Sequence, residues 1–316
     1  MDRTTEQHDL VIVGAGPAGL AASIYATRAM LDSVTIEGAA MGGQISLTDE
    51  IENYPAVKSA SGVELAQLMQ EHAEGMGAHF AYDNIEAIKL LDDGTFSLQG
   101  GKTDYIARSV IYAGGAKPRL AGFEGEKEYT GRGVSYCATC DGMFYRNKEV
   151  FVVGGGNTAC EEALFLAKFA SKVTLVVRKD HVRAVPAIAR QIEENERIEI
   201  RYLTSVVELK GNMAPTDIVF RNNETEETYS EHYDEGMFGV FVFVGYDPAT
   251  KLVEDFVELS EDGAVITDDT MATKTAGLFC AGDIRRKPLR QVITAASDGA
   301  VAASSASHYL GAAVVA

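Results

Sequence analysis

Cys137 and Cys140, in the run Cys137-Ala138-Thr139-Cys140-Asp141-Gly142, can hold two electrons as a disulfide. A glycine-rich turn lies on either side of them: Gly14-Ala15-Gly16-Pro17-Ala18-Gly19 before, and Gly154-Gly155-Gly156-Asn157-Thr158-Ala159 after. Each has the spacing that lets a backbone approach a dinucleotide pyrophosphate. One such turn alone carries little weight. Two of them around a dithiol imply electron flow from a nicotinamide through a flavin to a disulfide.

These residues need strand–turn–helix units to hold them. Asp9–Val13 reads as a short buried strand, Leu20–Met30 as an alanine-rich helix and Ser33–Glu37 as the next strand. Glu37 stands 23 positions after Gly14, the place of the acid that hydrogen-bonds an adenosine ribose. Gly14 permits the tight turn, Gly16 the approach of the pyrophosphate, and Gly19 close packing of helix on strand. The unit recurs as strand Glu149–Val153, helix Thr158–Phe169 and strand Lys172–Val177, with Ala159 as a permitted variant of the last glycine. The acid's place in this second unit is taken by Arg178-Lys179-Asp180-His181-Val182-Arg183. Cations there favour an adenosine 2′-phosphate, so the first turn is expected to take FAD and the second NADPH. The plain alternative is a solvated turn with ordinary charges.

Asp92–Thr95 and Gly100–Lys102 read as hairpin turns, and Val110–Ala113 leads into Gly114-Gly115. Ile198–Val244 shows short alternating segments ending in apolar Gly239–Val244, so each unit is expected to carry a small antiparallel layer. Gly277–Asp283 is an apolar strand ending in Gly-Asp, and a small-residue helix, Gln291–Ala303, follows it. With no glycine turn of its own, this last piece completes the first domain after the second has been inserted.

The 316 residues suffice for two domains, and the net charge of −18 argues against nucleic acid as a partner. No basic segment followed by a long apolar run opens the chain, and the tail at 312–316 is too short to span a membrane. A cytosolic location is therefore expected. Four cysteines do not make a disulfide framework. A zinc site would want a second ligand pair, and Cys160 and Cys280 stand alone, so no metal is expected and both are read as core residues.

Along nearly its whole length the chain resembles the low-molecular-weight thioredoxin reductases. The resemblance is carried by GAGPAG at 14–19, GGQ at 42–44, ENYP at 52–55, CATCDG at 137–142, GGGNTACEEAL at 154–164, RKDHVR at 178–183, AGD at 281–283 and RQV at 290–292. It implies an α/β fold of two Rossmann-like, three-layer domains. A discontinuous FAD domain would cover 1–118 and 247–316, and an inserted NADPH domain carrying the dithiol would cover 119–246. It implies a homodimer with thioredoxin as disulfide substrate. Cys140 would be the flavin-proximal sulfur, Cys137 the thiol that attacks the substrate, and Asp141 the acid/base, against the plainer reading of Asp141 as a helix-start carboxylate. FAD contacts would come from Gly14, Gly16, Pro17, Ala18, Gly19, Glu37, Gly43, Gln44, Asn53, Asp283, Arg290, Gln291 and Val292. NADPH contacts would come from Gly154, Gly156, Asn157, Thr158, Arg178, Lys179 and Arg183. Two departures stand out: Val177-Arg178-Lys179 replaces the usual His-Arg-Arg, and Ala113-Gly114-Gly115-Ala116 the usual Ala-Thr-Gly-Ala.

Other readings are a flavoenzyme that draws on ferredoxin or oxygen, and a nucleotide-binding redox sensor without turnover. The cations at 178, 179 and 183 argue against the former, and Asp141 beside the dithiol against the latter.

Overall fold

The structure, a computed structural model, describes residues 3–39, 41–48 and 50–311. The short tail at 312–316 lies outside them. The chain forms two compact units: one runs to Lys117 and resumes at Asp247, the other is Pro118–Tyr246.

The first unit opens with β1 (Thr4–Val13), α1 (Pro17–Arg28), β2 (Ser33–Glu37), α2 (Gly62–Gly75), β3 (His79–Tyr82), β4 (Ile85–Leu90), β5 (Phe96–Gly100), β6 (Thr103–Tyr112) and β7 (Ala116–Pro118). The second holds β8 (Val134–Ser135), α3 (Ala138–Asp141), β9 (Glu149–Val153), α4 (Asn157–Leu166), β10 (Lys172–Val176), α5 (Pro186–Glu193), β11 (Ile198–Arg201), β12 (Thr204–Gly211), β13 (Pro215–Asn222), β14 (Thr228–His232) and β15 (Phe238–Val242). After β16 (Tyr246–Pro248) the first unit adds β17 (Glu258–Leu259), β18 (Val265–Ile266), β19 (Leu278–Cys280) and α6 (Val292–Tyr309).

In the first unit the strand order is β3-β2-β1-β6-β5-β4, with β19 also on β6. β6 is long enough to serve two partners. Its Asp104–Ala107 stretch pairs antiparallel with β5, and Val110–Tyr112 pairs parallel with β19. The late apolar strand thereby completes the first sheet. The antiparallel strands β4 and β5 extend this sheet rather than forming a separate layer, because β6 carries both pairings. β1 begins five residues before the expected Asp9. Its exposed start pairs with Thr103–Ile106 of β6, so hydrogen bonding rather than apolar burial defines it. Its last residues, Leu10, Val11 and Ile12, are fully buried, each contributing roughly 1.5–3 kcal/mol. α1 starts at Pro17 rather than Leu20, since proline suits a first helical turn, whose amides have no helical acceptor.

The second unit has a parallel sheet, β11-β10-β9-β15-β8, and a separate antiparallel sheet, β12-β13-β14. Only part of 198–244 is therefore antiparallel. β15, buried at all five positions, runs parallel between β9 and β8, as a continuous apolar run does inside a covered sheet. α4 ends at Leu166, not Phe169: the amides of Lys168 and Phe169 turn back to the carbonyls of Phe165 and Leu166. No described helix is long and apolar enough to cross a membrane.

Candidate active site and nucleotide cradles

In the first unit the β1–α1 turn is built from backbone. Gly14 has φ +100°, and a Cβ there would lie 2.5 Å from the Ala113 carbonyl oxygen at the end of β6. A Cβ on Gly19 would overlap the Gly14 carbonyl, so the helix can start only with glycine there. Gly16, with its nearest non-neighbouring atom 3.8 Å from an added Cβ, leaves open room over the turn. The Glu37 carboxylate braces the turn, accepting from Ala15 N at 2.7 Å and from Ala39 N at 2.9 Å. Gly42 N donates to Ala15 O at 2.9 Å, which brings the exposed Gly43 and Gln44 beside Gly16.

The opposite side of the same turn is set by Ala18. Its methyl would meet a Cβ on Gly282 at 2.9 Å, and its carbonyl would overlap one on Gly299 of α6. This close packing places Pro17, Ala18 and Gly19 against the segment that carries Asp283. Asp283 Oδ1 is buried and has no hydrogen-bond partner among the described residues. Burial pushes this carboxyl up, while Lys287 and Arg290 oppose the shift. A buried acceptor left open is costly unless a ligand hydroxyl fills it. Arg290 Nε donates to the Asp283 carbonyl at 3.2 Å. Asn53 Nδ2 donates to Gln291 Oε1 at 3.1 Å, joining two expected contacts, and Gln291 caps α6 just before Val292.

Beneath Asp283 lies a group that the sequence reading missed. Asp298 of α6, 7% exposed, bonds Arg285 Nη1 at 2.9 Å, Lys287 Nζ at 2.8 Å and the Gly282 amide at 3.0 Å. It fixes the Gly-Asp backbone from below. Its signal in the sequence is the basic run after Asp283 facing a lone acid in an alanine-rich helix.

The second unit's turn has a different economy of space. Gly154 has φ +150°, and its Cβ would lie 2.5 Å from Phe243 O and 2.7 Å from the Ala159 methyl. The absent side chain at Gly154 thus accommodates alanine where the first turn needs glycine. Nothing lies within 4 Å of a Cβ added to Gly156. Arg183 N donates to Gly155 O at 2.6 Å, and Asn157 Oδ1 accepts from Val185 N at 2.8 Å. The cationic segment is thereby stitched to the turn. Arg178, Lys179 and Arg183 are exposed, and among the described residues none of the three makes an ion pair. Thr158 is exposed on the first turn of α4. Val177, the departure from histidine, is 2% exposed and packs beneath Gly155, where an added Cβ would meet its Cγ1 at 2.9 Å.

Cys137 and Cys140 form a disulfide with Cα atoms 5.3 Å apart. Cys137 caps the short α3, its Sγ accepting from Cys140 N at 3.2 Å. Asp141 closes that helix, and its Oδ2 accepts from the buried Ser135 hydroxyl at 2.6 Å. Burial, with Asp141 nearby, pushes the Tyr145 phenol up to about 12. Glu126, 2% exposed, was also missed: it takes Ala121 N at 2.8 Å, Gly122 N at 2.7 Å and Tyr136 OH at 3.0 Å, bracing the residue before Cys137. Met143 and Phe144 are exposed just beyond the pair. Cys160 and Cys280 are fully buried free thiols, pushed up by burial to about 11 and about 12.

At the second departure, a Cβ on Gly114 would lie 2.8 Å from the Tyr112 ring. That ring is held by Tyr112 OH donating to Ala249 O at 2.9 Å. A threonine at 114 has no room while the tyrosine stays there.

The family model for pyridine nucleotide-disulphide oxidoreductases matches residues 8–299. A thioredoxin reductase from Peptoclostridium litorale is 48% identical over 306 residues, covering 96% of this chain and 97% of its own. One from Bacillus subtilis (strain 168) is 42% identical over 310 residues, covering 96% and 95%. The crystal structure of thioredoxin reductase from Streptococcus pyogenes superposes with a TM-score of 0.89 at 40% identity, covering 96% of this chain and 98% of that one. The chain belongs to the pyridine nucleotide-disulphide oxidoreductase family and, within it, to the low-molecular-weight thioredoxin reductases, with Cys137–Cys140 as its redox-active disulfide.

Proposed function

We propose that this chain reduces the disulfide of thioredoxin with electrons from NADPH, using FAD and the Cys137–Cys140 pair. The observation that carries the reading is the Cys137–Cys140 disulfide with the Asp141 carboxylate in the same short turn, in a chain with two glycine turns of different charge. FAD fits the first unit: Gly14, Gly16 and Gly19 leave its pyrophosphate room, and Asp283 Oδ1 offers a buried acceptor to a ligand hydroxyl. Glu37, Gly43, Gln44, Asn53, Arg290, Gln291 and Val292 complete the set of contacts. Bound there, FAD would supply the two-electron carrier between NADPH and the protein disulfide. NADPH fits the second unit, with Gly154, Gly156, Asn157 and Thr158 at the pyrophosphate and Arg178, Lys179 and Arg183 at the 2′-phosphate.

The dithiol chemistry belongs to the chain's own residues. The Cys137 thiolate attacks one sulfur of the thioredoxin disulfide, forming a mixed disulfide and releasing the other sulfur as thiolate. Cys140 then attacks Cys137, reforms the Cys137–Cys140 bond and frees reduced thioredoxin. Two electrons and two protons leave with the product. Asp141 hands a proton to the departing thioredoxin thiolate and retrieves one from the dithiol, so both dithiol protons end on the product. The reading includes a homodimer and a cytosolic location, where a cycling dithiol is kept from permanent oxidation.

The test is donor choice. FAD-loaded protein is mixed with oxidised thioredoxin and either NADPH or reduced ferredoxin, and free thioredoxin thiols are counted. Thiols appearing with NADPH support the proposal. Thiols appearing only with ferredoxin would overturn its nucleotide half.

A further inference from the structure

We infer that Ser135 is a positioning residue for the dithiol step, acting through Asp141; the inference rests on Asp141 being the proton carrier proposed above. Ser135 ends β8, whose pairing with β15 sets Ser135 opposite Phe241, and it is only 6% exposed. A serine hydroxyl has one proton to give and can accept in return. Here the proton goes to Asp141 Oδ2 at 2.6 Å, and the oxygen accepts from Cys137 N at 3.0 Å. The competing acceptor, Cys137 O, is further away at 3.3 Å. One buried hydroxyl therefore ties the backbone of the attacking cysteine to the carboxylate four positions later.

The arrangement matters when the disulfide opens. Opening moves the sulfur atoms, while the bonds from Ser135 hold the Cys137 backbone and the Asp141 carboxylate where they are. α3 spans only Ala138–Asp141, so its own backbone offers little to fix Asp141. The Asp141 amide bonds Cys137 O at 3.1 Å, which anchors the main chain, and the Ser135 hydroxyl reaches the side chain at Oδ2. Aligned N–H···O–H···carboxylate bonds also polarise one another, so the carboxylate is oriented more firmly than by either bond alone. The Tyr145 phenol, pushed up to about 12 by burial with Asp141 nearby, stays protonated and carries no competing charge at neutral pH.

The test is a double-mutant cycle on FAD-loaded protein reduced with dithiothreitol, reading the single-turnover rate at which thioredoxin disulfide is reduced. Ser135→Ala is expected to slow this rate about tenfold, the loss of one hydrogen bond to a charged group. Ser135→Thr, which keeps the hydroxyl, is expected to stay within about twofold of wild type. In an Asp141→Asn background, Ser135→Ala is expected to cost less than about twofold, because the two residues act as a unit. FAD content and Tm of each variant are measured alongside. An equal tenfold loss in both backgrounds would show that Ser135 does not act through Asp141 and would overturn the inference. So would a Ser135→Ala protein as fast as wild type while Asp141→Asn is slow. An Asp141→Asn protein as fast as wild type would overturn the proton-carrier reading itself, and the role of Ser135 with it.

Discussion

The amide of Arg183 donates to the carbonyl of Gly155 at 2.6 Å, so the cationic segment and the second glycine turn move as one piece. A nucleotide lying on the turn would have its adenosine 2′ position read by that segment. Neutralising Arg178 and Arg183 together to glutamine should raise the KM for NADPH by about tenfold or more, with the KM for NADH changed by less than about twofold. Initial-rate kinetics with both nucleotides check this. Equal effects on the two would show that the cations are a solvated turn.

Asp283 should trade stability for cofactor. Its carboxyl is raised above its ordinary value, chiefly by burial, and Oδ1 has no hydrogen-bond partner among the described residues. A raised carboxyl pKa means that the charged form costs stability above the raised value, and that this cost fades as pH falls toward the ordinary value of about 4. Asp283→Asn should therefore stabilise FAD-free protein at pH 7 by about 1 kcal/mol and lower FAD affinity by about tenfold. The gain should shrink as pH is lowered toward about 4. Thermal unfolding of the apoprotein across pH, with FAD titration, checks both signs.

The four cysteines should separate by reactivity. With Cys160 and Cys280 pushed up to about 11 and about 12, no more than about 1% of either is thiolate at pH 9. Native protein reduced with dithiothreitol should be alkylated by iodoacetamide at Cys137 and Cys140 alone, and raising pH from 7 to 9 should not recruit the other two. Denaturation should expose them. Peptide mass mapping reads the result, and native labelling of Cys160 or Cys280 at comparable rates would contradict it.

Much of this was legible because the chemistry sits in short contiguous runs. The glycine turns and the dithiol declare themselves by spacing, and β2 and β9 fall where the strand–turn–helix units place them, as continuously buried runs. Contacts between distant residues did not declare themselves. Asn53 meets Gln291 across 238 positions, and Asp298 reaches Arg285 and Lys287 only because α6 packs on Ala18 through Gly299. Gly114 shows the same limit: its missing side chain is explained by the Tyr112 ring standing where a Cβ would go. A hydrophobic pattern makes β1 too short because the polar first half of the strand is held by pairing with β6, which that pattern does not record.

The most direct test of the whole account is NADPH consumption by the FAD-loaded protein before and after oxidised thioredoxin is added, for wild type and Cys137→Ser. Wild type should consume NADPH continuously only once thioredoxin is present, with two thiols formed per NADPH. Cys137→Ser should show no thioredoxin-dependent consumption. A wild-type protein whose NADPH use ignores thioredoxin, or a Cys137→Ser variant that still turns over, would contradict the account.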